Sequence, residues 1–273
     1  MHALRGKVAA VTGAASGLGR AMALAFADEG MDLALADVEG LQEVIAAAEA
    51  KGVKATAMKV DVSRAEEVEA FAAAAGKVHL VCNNAGVSTL GAAWEGSVAD
   101  WQWILGVNVW GVIHGVRAFA PRLIAQNEGH LVNTASVAGL ISPPGSAAYN
   151  VTKHAVVALS ETLYHDLRER GSAVGVSVLC PAYVPTRISE SERNRPKELA
   201  AGEKSSATLA KQAMLKKAVA SGRLSADDIA RAVVSAVKEN RFYILTHPRI
   251  KGAIRARMED ILEERAPRDP LRL

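Results

Sequence analysis

Short apolar segments recur along the chain, separated by stretches in which apolar residues have helical spacing. Seven of the segments are predicted as strands, at 7–11, 32–36, 55–60, 78–82, 130–134, 174–179 and 242–245. The helical stretches lie at 20–29, 41–51, 64–75, 100–125 and 148–170. This alternation predicts an α/β fold of the Rossmann type, a doubly wound, seven-stranded parallel sheet with helices on both faces.

One long segment breaks the alternation. Residues 185–225 contain no strand-like run, although they follow directly on the sixth predicted strand. In an open parallel sheet, a segment that follows a strand's carboxyl end lies where ligands bind. We therefore predict a substrate lid at 185–225, within a single domain that spans residues 1–273.

Composition supports one domain with a large core, because half of the 273 residues are apolar. Cys82 and Cys180 both sit in apolar contexts, which favours buried free thiols over a disulfide or a metal site. The net charge of +3 is small, and the basic residues of the C-terminal third are interspersed with acids and alanines. This pattern indicates a solvated surface, and no aromatic platform supports nucleic-acid binding.

The sequence also argues against a membrane segment. No apolar run approaches the roughly 20 residues that span a bilayer. The N-terminus, which passes through Arg5 and Lys7 into a short strand, lacks the plan of a signal peptide. We expect a cytoplasmic protein that contacts neither membrane nor nucleic acid.

A glycine-rich turn, Thr-Gly-Ala-Ala-Ser-Gly-Leu-Gly, joins the first predicted strand to the first helix. Its glycines suit a sharp turn that lets a pyrophosphate approach bare backbone at a helix N-terminus, although an ordinary strand–helix turn fits the same pattern. The residues predicted to contact a dinucleotide here are Gly13, Ser16, Gly17, Leu18 and Gly19.

Polar residues at the ends of the next strands favour the dinucleotide. Asp37 ends the second strand, where a carboxylate accepts hydrogen bonds from ribose hydroxyls and repels a 2′-phosphate, so NAD is predicted in preference to NADP. Asp61 and Val62, after the third strand, are candidates to receive the adenine amino group. After the fourth strand, amide side chains can bridge strand ends and a glycine leaves room for the cofactor. The residues predicted there are Asn84, Ala85 and Gly86.

Ser136, Tyr149 and Lys153 form the predicted catalytic group. Tyr149 and Lys153, four residues apart at the start of a helix, share one face, and Ser136 follows the fifth strand at the same edge of the sheet. We expect Lys153 and an oxidised nicotinamide to lower the phenol pKa from its ordinary value of about 10. Tyr149 then exchanges the alcohol proton, and Ser136 polarises the same oxygen. Alone, the tyrosine–lysine pair also fits a routine surface contact.

Histidines and tryptophans are weaker candidates. The helix-borne histidines have no partners at metal-ligand spacing, so no metal site is predicted. The tryptophans fit core or subunit packing, although one of them could line the substrate cleft. They are Trp94, Trp101, Trp103 and Trp110.

In this order, the motifs resemble those of the compact short-chain dehydrogenase/reductase family, from about Lys7 to Thr186. The resemblance rests on the glycine turn, Asp37, Asp61-Val62, Asn83-Asn84-Ala85-Gly86, Asn108, Ser136 and Tyr149-x-x-x-Lys153. It implies that Asn108 completes a catalytic tetrad by holding a water that links Lys153 to solvent. It also implies that Tyr149 and Lys153 contact the cofactor, Lys153 at the nicotinamide ribose, with Pro181 at the nicotinamide wall and Thr186 at the carboxamide.

Two positions depart from the family pattern. Ala182 stands where a glycine usually follows Pro181, so the nicotinamide wall is expected to be shifted or more crowded. His79 stands where an aspartate is common, and we expect it to have a structural role.

The helices predicted at 100–125 and 148–170 carry apolar residues over wide arcs. One face of each covers the sheet, and the remainder is expected to exceed what a monomer leaves in water. Compact family members pair these helices across a two-fold axis. We therefore expect a homo-oligomer, a tetramer or a dimer.

The motifs together predict an NAD-dependent oxidoreductase that interconverts a secondary alcohol and a ketone. Mostly apolar residues are expected around the substrate, and a loose resemblance to bacterial members suggests a bulky hydrophobic small molecule. Two alternatives stay open, because a fold alone does not establish chemistry. They are a non-catalytic dinucleotide sensor or scaffold, and a dehydratase or epimerase that uses the same tyrosine.

Overall fold

Seven parallel strands form one sheet at the centre of the computed structural model, which describes residues 3–202 and 204–272. Across the sheet the order is β3-β2-β1-β4-β5-β6-β7, so the winding direction reverses between β1 and β4. The predicted doubly wound parallel topology is confirmed. The strands are β1 (Val8–Thr12), β2 (Asp32–Asp37), β3 (Ala55–Lys59), β4 (Leu80–Asn83), β5 (His130–Thr134), β6 (Gly175–Leu179) and β7 (Tyr243–Ile244).

Helices cover both faces of this sheet, also as predicted. In the described residues they are α1 (Gly17–Asp28), α2 (Gln42–Glu49), α3 (Ala65–Ala74), α4 (Val98–Leu105), α5 (Gly111–Ala125), α6 (Ala147–Glu169), α7 (Ser206–Ala220), α8 (Ala226–Glu239) and α9 (Ile250–Leu262). Successive residues of a strand point to opposite faces. Ala9 and Val11 accordingly pack in the core with α1, α2 and α8, whereas Ala10 packs in the core with α3, α5 and α6.

The predicted helix at 100–125 is present but not uniform. A π-helical turn, Gly106–Trp110, separates α4 from α5. The whole stretch Val98–Ala125 is long and apolar enough to cross a membrane by length and composition alone, contrary to the sequence expectation. Half of the residues in its most apolar 18-residue segment are buried within the fold, and the core helix of a globular protein can have the same length and composition.

The premise of the oligomer prediction is wrong, because the fold itself covers most of the apolar side chains on these helices. Trp103, Val112 and Phe119 are buried, as are Val156 and Leu167. The large apolar side chains left in water on the two helices are Trp110 and Val151, each about half exposed.

The predicted lid region contains two 3-10 turns, Arg187–Asn194 and Lys197–Leu199, followed by α7. Glu203 of this region lies outside the described residues. A capping box then opens α8, where Ser225 and Asp228 bind each other's backbone N–H groups. The helix ends at Asn240, whose positive φ of 54° is a left-handed cap.

Candidate active site

A cavity of about 410 Å³ opens at the carboxyl ends of the central strands, within the size range of small-molecule sites. The predicted residues that line it are Gly13, Ser16, Gly17, Leu18, Asp37, Asp61, Val62, Asn84, Ala85, Gly86, Ser136, Tyr149, Lys153, Pro181 and Thr186. The two predicted residues behind its wall are Gly19 and Asn108. The fold thus brings the dinucleotide motifs and the catalytic group to one site.

The glycine turn has the geometry of an anion cradle. Gly13 has a φ of +66°, and a Cβ there would lie 2.7 Å from the Cα of Ala85. A Cβ on Gly19 would lie 1.9 Å from the Gly13 carbonyl oxygen, so Gly19 serves the packing of helix on turn. Ser16 precedes α1 without capping it, and the first turn of α1 holds no acidic residue. The first N–H groups of α1 therefore suit the pyrophosphate of a dinucleotide.

Side chains tie the strand ends together around the cradle. The Thr12 hydroxyl accepts hydrogen bonds from the backbone N–H of Asn84 at 3.0 Å and of Ala85 at 3.2 Å. The Asn84 amide in turn donates to the Thr12 carbonyl at 3.1 Å and accepts from the Thr134 hydroxyl at 3.3 Å. The predicted bridging of strand ends by this amide is confirmed, and it fixes the cavity floor between β1, β4 and β5.

Asp37 lies at the cavity with its carboxylate already oriented. One oxygen accepts from the Ala15 backbone N–H at 2.8 Å, and the other accepts from Glu39 N–H at 2.9 Å. A carboxylate oxygen has two lone pairs, so each can accept a further hydrogen bond. The arrangement fits a ribose with free hydroxyls.

Asp61 and Val62 line the cavity beyond β3. The Asp61 carboxylate accepts hydrogen bonds from the backbone N–H and the hydroxyl of Ser63, at 2.9 and 2.7 Å, which fixes the turn after β3. Val62 is buried, and its carbonyl is 2.9 Å from a ring nitrogen of His114.

Among the catalytic candidates, Ser136 and Lys153 are buried, and Tyr149 is partly buried beside them. Lys153 Nζ donates to the Thr134 carbonyl at 2.9 Å and lies 5.6 Å from the centre of the Tyr149 ring. The Ser136 hydroxyl donates to the Pro181 carbonyl at 3.3 Å and accepts from Ala138 N–H at 3.2 Å. The tyrosine–lysine pair is therefore part of an enclosed site and is not a routine surface contact.

Burial dominates the electrostatics of this pair in the free protein. Burial raises the pKa of Tyr149 to about 12, although a hydrogen bond with Ser136 acts in the opposite direction. Burial also lowers the pKa of Lys153 to about 8, against the opposing influence of the Cys180 thiol. Desolvation disfavours the charged form of each group. The lysine alone does not lower the phenol pKa in this environment.

Asn108 lies in the π-helical turn, fully buried. Its side-chain oxygen accepts from Val87 N–H at 2.8 Å, and its amide donates to the Val87 carbonyl at 2.9 Å and to the Thr152 hydroxyl at 3.1 Å. A Cβ on Gly86 would lie 3.4 Å from the Asn108 oxygen and 3.6 Å from Lys153 Nζ. Asn108 thus holds the segment after β4 beside Lys153. π-Helical turns are frequent at functional sites.

The inner part of the lid is held by buried contacts. The Arg195 side chain is only 5% exposed, pairs with Asp100 and lies 4.5 Å from the centre of the Trp103 ring. The buried Ser191 hydroxyl accepts from the Ser88 backbone N–H at 3.0 Å. Trp103 is the predicted cleft-lining tryptophan, since it is the one of the four that lines the cavity.

The outer part of the lid reaches the cofactor side of the cleft. Arg193 Nε donates to Glu39 Oε1 at 2.7 Å, and Arg187 lies 3.6 Å from the other Glu39 oxygen. Both arginines line the cavity. The sequence analysis did not assign them to the site, because only the fold shows that the lid returns to the loop after β2.

The C-terminal region also contributes residues that the sequence analysis missed. Ile250, at the start of α9, lines the cavity together with Pro270 and Leu271. They follow the last predicted strand and carry no motif, so no sequence signal marks them.

The two residues that depart from the family pattern, His79 and Ala182, each take part in a hydrogen bond with a distant segment. His79 Nδ1 accepts from Val8 N–H at 3.1 Å, which links the start of β1 to the segment before β4 and agrees with a structural role. Ala182 lines the cavity, and its N–H donates to His247 Nδ1 at 3.2 Å.

Among residues 3–202 and 204–272, no group of three His, Cys, Asp or Glu side chains could hold a metal ion.

Comparisons with known proteins agree with this geometry. A family model described as short chain dehydrogenase matches residues 7–197. The crystal structure of a short chain dehydrogenase/reductase from Burkholderia phymatum in complex with NAD is 51% identical, covers 99% of both chains and has a TM-score of 0.97.

Two curated relatives align along nearly the whole chain. The CLA biosynthesis dehydrogenase/reductase of Lactiplantibacillus plantarum is 32% identical over 98% of this chain and 97% of its own. The 1-deoxy-11-beta-hydroxypentalenate dehydrogenase of Streptomyces exfoliatus is 35% identical over 96% of this chain and 90% of its own. The chain therefore belongs to the short-chain dehydrogenase/reductase family of oxidoreductases.

Proposed function

We propose that the protein interconverts a secondary alcohol and a ketone, with NAD as the hydride acceptor or donor. The observation that carries the proposal is that Tyr149, Lys153 and Ser136 line one cavity with the glycine cradle and Asp37. When bound, the dinucleotide supplies the hydride chemistry, and the residues of the chain bind the substrate oxygen and move its proton.

Tyr149 is the acid and base in this proposal. During oxidation its phenolate accepts the proton of the substrate hydroxyl, and during reduction the phenol returns it. Ser136 turns its hydroxyl hydrogen from the Pro181 carbonyl and donates it to the same substrate oxygen, while its oxygen still accepts from Ala138 N–H. Lys153, fixed on Thr134, favours the phenolate by its charge, and Asn108 keeps the segment after β4 beside it. Because burial opposes the phenolate, oxidation needs further positive charge in the site, which an oxidised nicotinamide carries.

We further propose that NAD is preferred over NADP. The carboxylate of Asp37 would repel a 2′-phosphate, and Glu39 adds a second carboxylate nearby. Arg187 and Arg193 also reach this end of the cavity, but both are paired with Glu39. The NAD in the Burkholderia phymatum neighbour supports a nicotinamide dinucleotide here.

The proposed substrate is a bulky hydrophobic alcohol or ketone. Apolar side chains are among those that line the cavity, including Trp103, Leu215 and Val219. The Streptomyces exfoliatus relative carries an 11-beta-hydroxy compound in its name, which agrees with a hydroxylated hydrophobic substrate. We also propose that the protein is cytoplasmic and a homo-oligomer, a tetramer or a dimer; membership of a family whose compact members pair the helices at 100–125 and 148–170 supports the assembly. Light scattering tests the assembly, and a single species near 28.7 kDa contradicts it.

The proposed reaction is tested by NADH absorbance with a panel of secondary alcohols and NAD, and with the matching ketones and NADH. Turnover of at least one pair, absent from Tyr149→Phe, is the expected result. A sensor or scaffold binds NADH without turnover of any member. A dehydratase or epimerase converts substrate, as seen by chromatography, without net change in NADH.

A further inference from the structure

The chain reverses direction after α9 and returns toward the cavity. Glu264 has a positive φ of 53°, a left-handed conformation that turns the chain back. Residues 263–272, here called the C-terminal tail, follow α9 in the opposite direction. Their return is fixed around Asp260 on the last turns of α9, whose carboxylate meets Arg268 and lies 3.5 Å from Arg265 Nε.

This contact consists of several hydrogen bonds and is not a single ion pair. Asp260 is only 4% exposed, although most residues around it lie in water. Its carboxylate accepts from Arg268 Nε at 2.9 Å and from the Arg268 backbone N–H at 3.1 Å. Arg268 Nη2 also donates to the Ala256 carbonyl at 2.9 Å. Several charge-assisted hydrogen bonds in a fixed geometry distinguish it from exposed single pairs, which contribute about 0–1 kcal/mol.

A turn at the tip of the tail then presents two apolar residues to the cavity. Asp269 accepts from Leu271 N–H at 3.0 Å through its side chain and from Arg272 N–H at 3.1 Å through its carbonyl. Pro270 and Leu271 consequently line the cavity, as does Ile250. Leu271 is 58% exposed, so its side chain stands at the rim, between cavity and solvent.

The sheet order places this rim at the substrate end. The tail follows β7, which is the edge strand next to β6, whereas Asp37 ends β2 on the other side of β1. His247, just before α9, bonds Ala182, directly after Pro181. The tail therefore stands on the side of Tyr149 that is opposite to the adenosine end of the cavity.

We infer that the C-terminal tail forms the outer wall of the substrate cleft and that Leu271 and Pro270 limit the length of the substrate's apolar arm. Asp260 and Arg268 are positioning residues, which act on the substrate only through the tail. This inference rests on the proposed function, because it assigns the wall to an alcohol or ketone with an apolar arm.

Two alcohols of different length test the wall kinetically. For 1-(2-naphthyl)ethanol, Leu271→Trp should lower kcat/KM at least tenfold, whereas for 2-butanol it should stay within twofold. Asp260→Asn should raise KM for the naphthyl alcohol about three- to tenfold, with kcat for 2-butanol and the NADH Kd unchanged. Arg272→Ala is the matched control, because Arg272 pairs in the same tail but is 86% exposed. Equal losses with both alcohols would overturn the inference.

A second measurement does not need turnover. Cys82 and Cys180 are buried, and burial raises the pKa of each thiol to about 12, so a thiol introduced by Leu271→Cys is the reactive one. A bimane label at 271 should shift its emission when NADH and 1-(2-naphthyl)ethanol bind together. A label at Leu262→Cys, 82% exposed and away from the cavity lining, should not. No shift at 271, or equal shifts at both positions, refutes the wall. Failure of the wild type to turn over either alcohol counts against the proposed reaction and leaves this measurement intact.

Discussion

Arg193 and Glu39 join the two sides of the cavity mouth at its cofactor end, with 2.7 Å between Nε and Oε1. Their side chains are about one quarter exposed, so solvent reaches the pair. We therefore expect it to contribute about 1 kcal/mol or less to holding the two segments together. At the other end of the lid, Arg195 is buried against Trp103 and paired with Asp100. The lid is thus held firmly near α4 and weakly over the cofactor end.

Removal of the weak contact should speed cofactor release. We expect Arg193→Gln to raise the NADH dissociation rate about two- to fivefold, which corresponds to at most about 1 kcal/mol. Stopped-flow displacement of bound NADH measures it. Lys216→Ala is the control, because Lys216 pairs with Glu190 within the lid region and does not bridge the cavity. A rate equal to that of the wild type would show that the lid does not retain the cofactor through this pair.

Tyr149→Phe should lower kcat for the alcohol that the wild type oxidises by at least about 100-fold, the low end of general acid–base catalysis. The NADH Kd should stay within twofold, because only a hydroxyl is removed. Tyr183→Phe is the matched control, since Tyr183 lines the same cavity and is about half exposed. Residual activity within tenfold of the wild type contradicts the role of Tyr149.

The ionisation of Tyr149 should depend on the cofactor. Burial raises its pKa to about 12, so no tyrosinate signal from this residue is expected below pH 10 in the free protein. The positive charge of NAD⁺ should lower the midpoint by about 1 to 3 pH units. Ultraviolet titration of the wild type minus Tyr149→Phe, with and without NAD⁺, measures both values. A tyrosinate midpoint below pH 10 in the absence of NAD⁺ would mean that Lys153 alone lowers the pKa of the phenol.

Asp37→Asn should raise the ratio of kcat/KM with NADP to that with NAD at least tenfold. The substitution removes the charge that repels a 2′-phosphate and keeps one oxygen, which can accept from one of the two backbone N–H groups. Asp61→Asn, at the end of the next strand, should leave the ratio within twofold. A wild type that uses NADP as well as NAD would already contradict the proposed preference.

His130 should make the fold sensitive to acid. It is fully buried, its ring lies 2.7 Å from the Ser177 hydroxyl, and burial lowers its pKa from 6.5 to about 3. The unfolded state therefore binds more protons below pH 6.5, and the unfolding free energy should fall by about 1.4 kcal/mol per pH unit from there toward pH 3. Urea unfolding of His130→Gln should show a shallower slope between pH 6.5 and 5, whereas the exposed His165→Gln should match the wild type.

Local patterns predicted the sheet, most helices and the central cavity lining, because each depends on residues close in the chain. The glycine turn, Asp37 and the Tyr149–Lys153 pair belong to this class. Glu39–Arg193 and Asp260–Arg268 do not, since their partners come together only through the fold. The desolvation of the phenol could not be predicted, because burial is a property of the packed structure, and in the free protein it raises the pKa of Tyr149 to about 12.

The π-helical turn at Gly106–Trp110 also changes how the long helical stretch is interpreted. One additional residue in a helix rotates everything after it by about 100°, the angle per residue of an α-helix. Trp103 and Ile104 then pack with Leu199 of the lid region, while Val112 and Phe119 pack in the cores that include the sheet strands. On a uniform α-helix, these apolar residues would form one wide stripe. With the π-helical turn, they form two narrower stripes that face different directions around the helix. Deletion of one residue from this turn would rotate α5 relative to α4, so one of the two apolar stripes would no longer face the residues against which it packs.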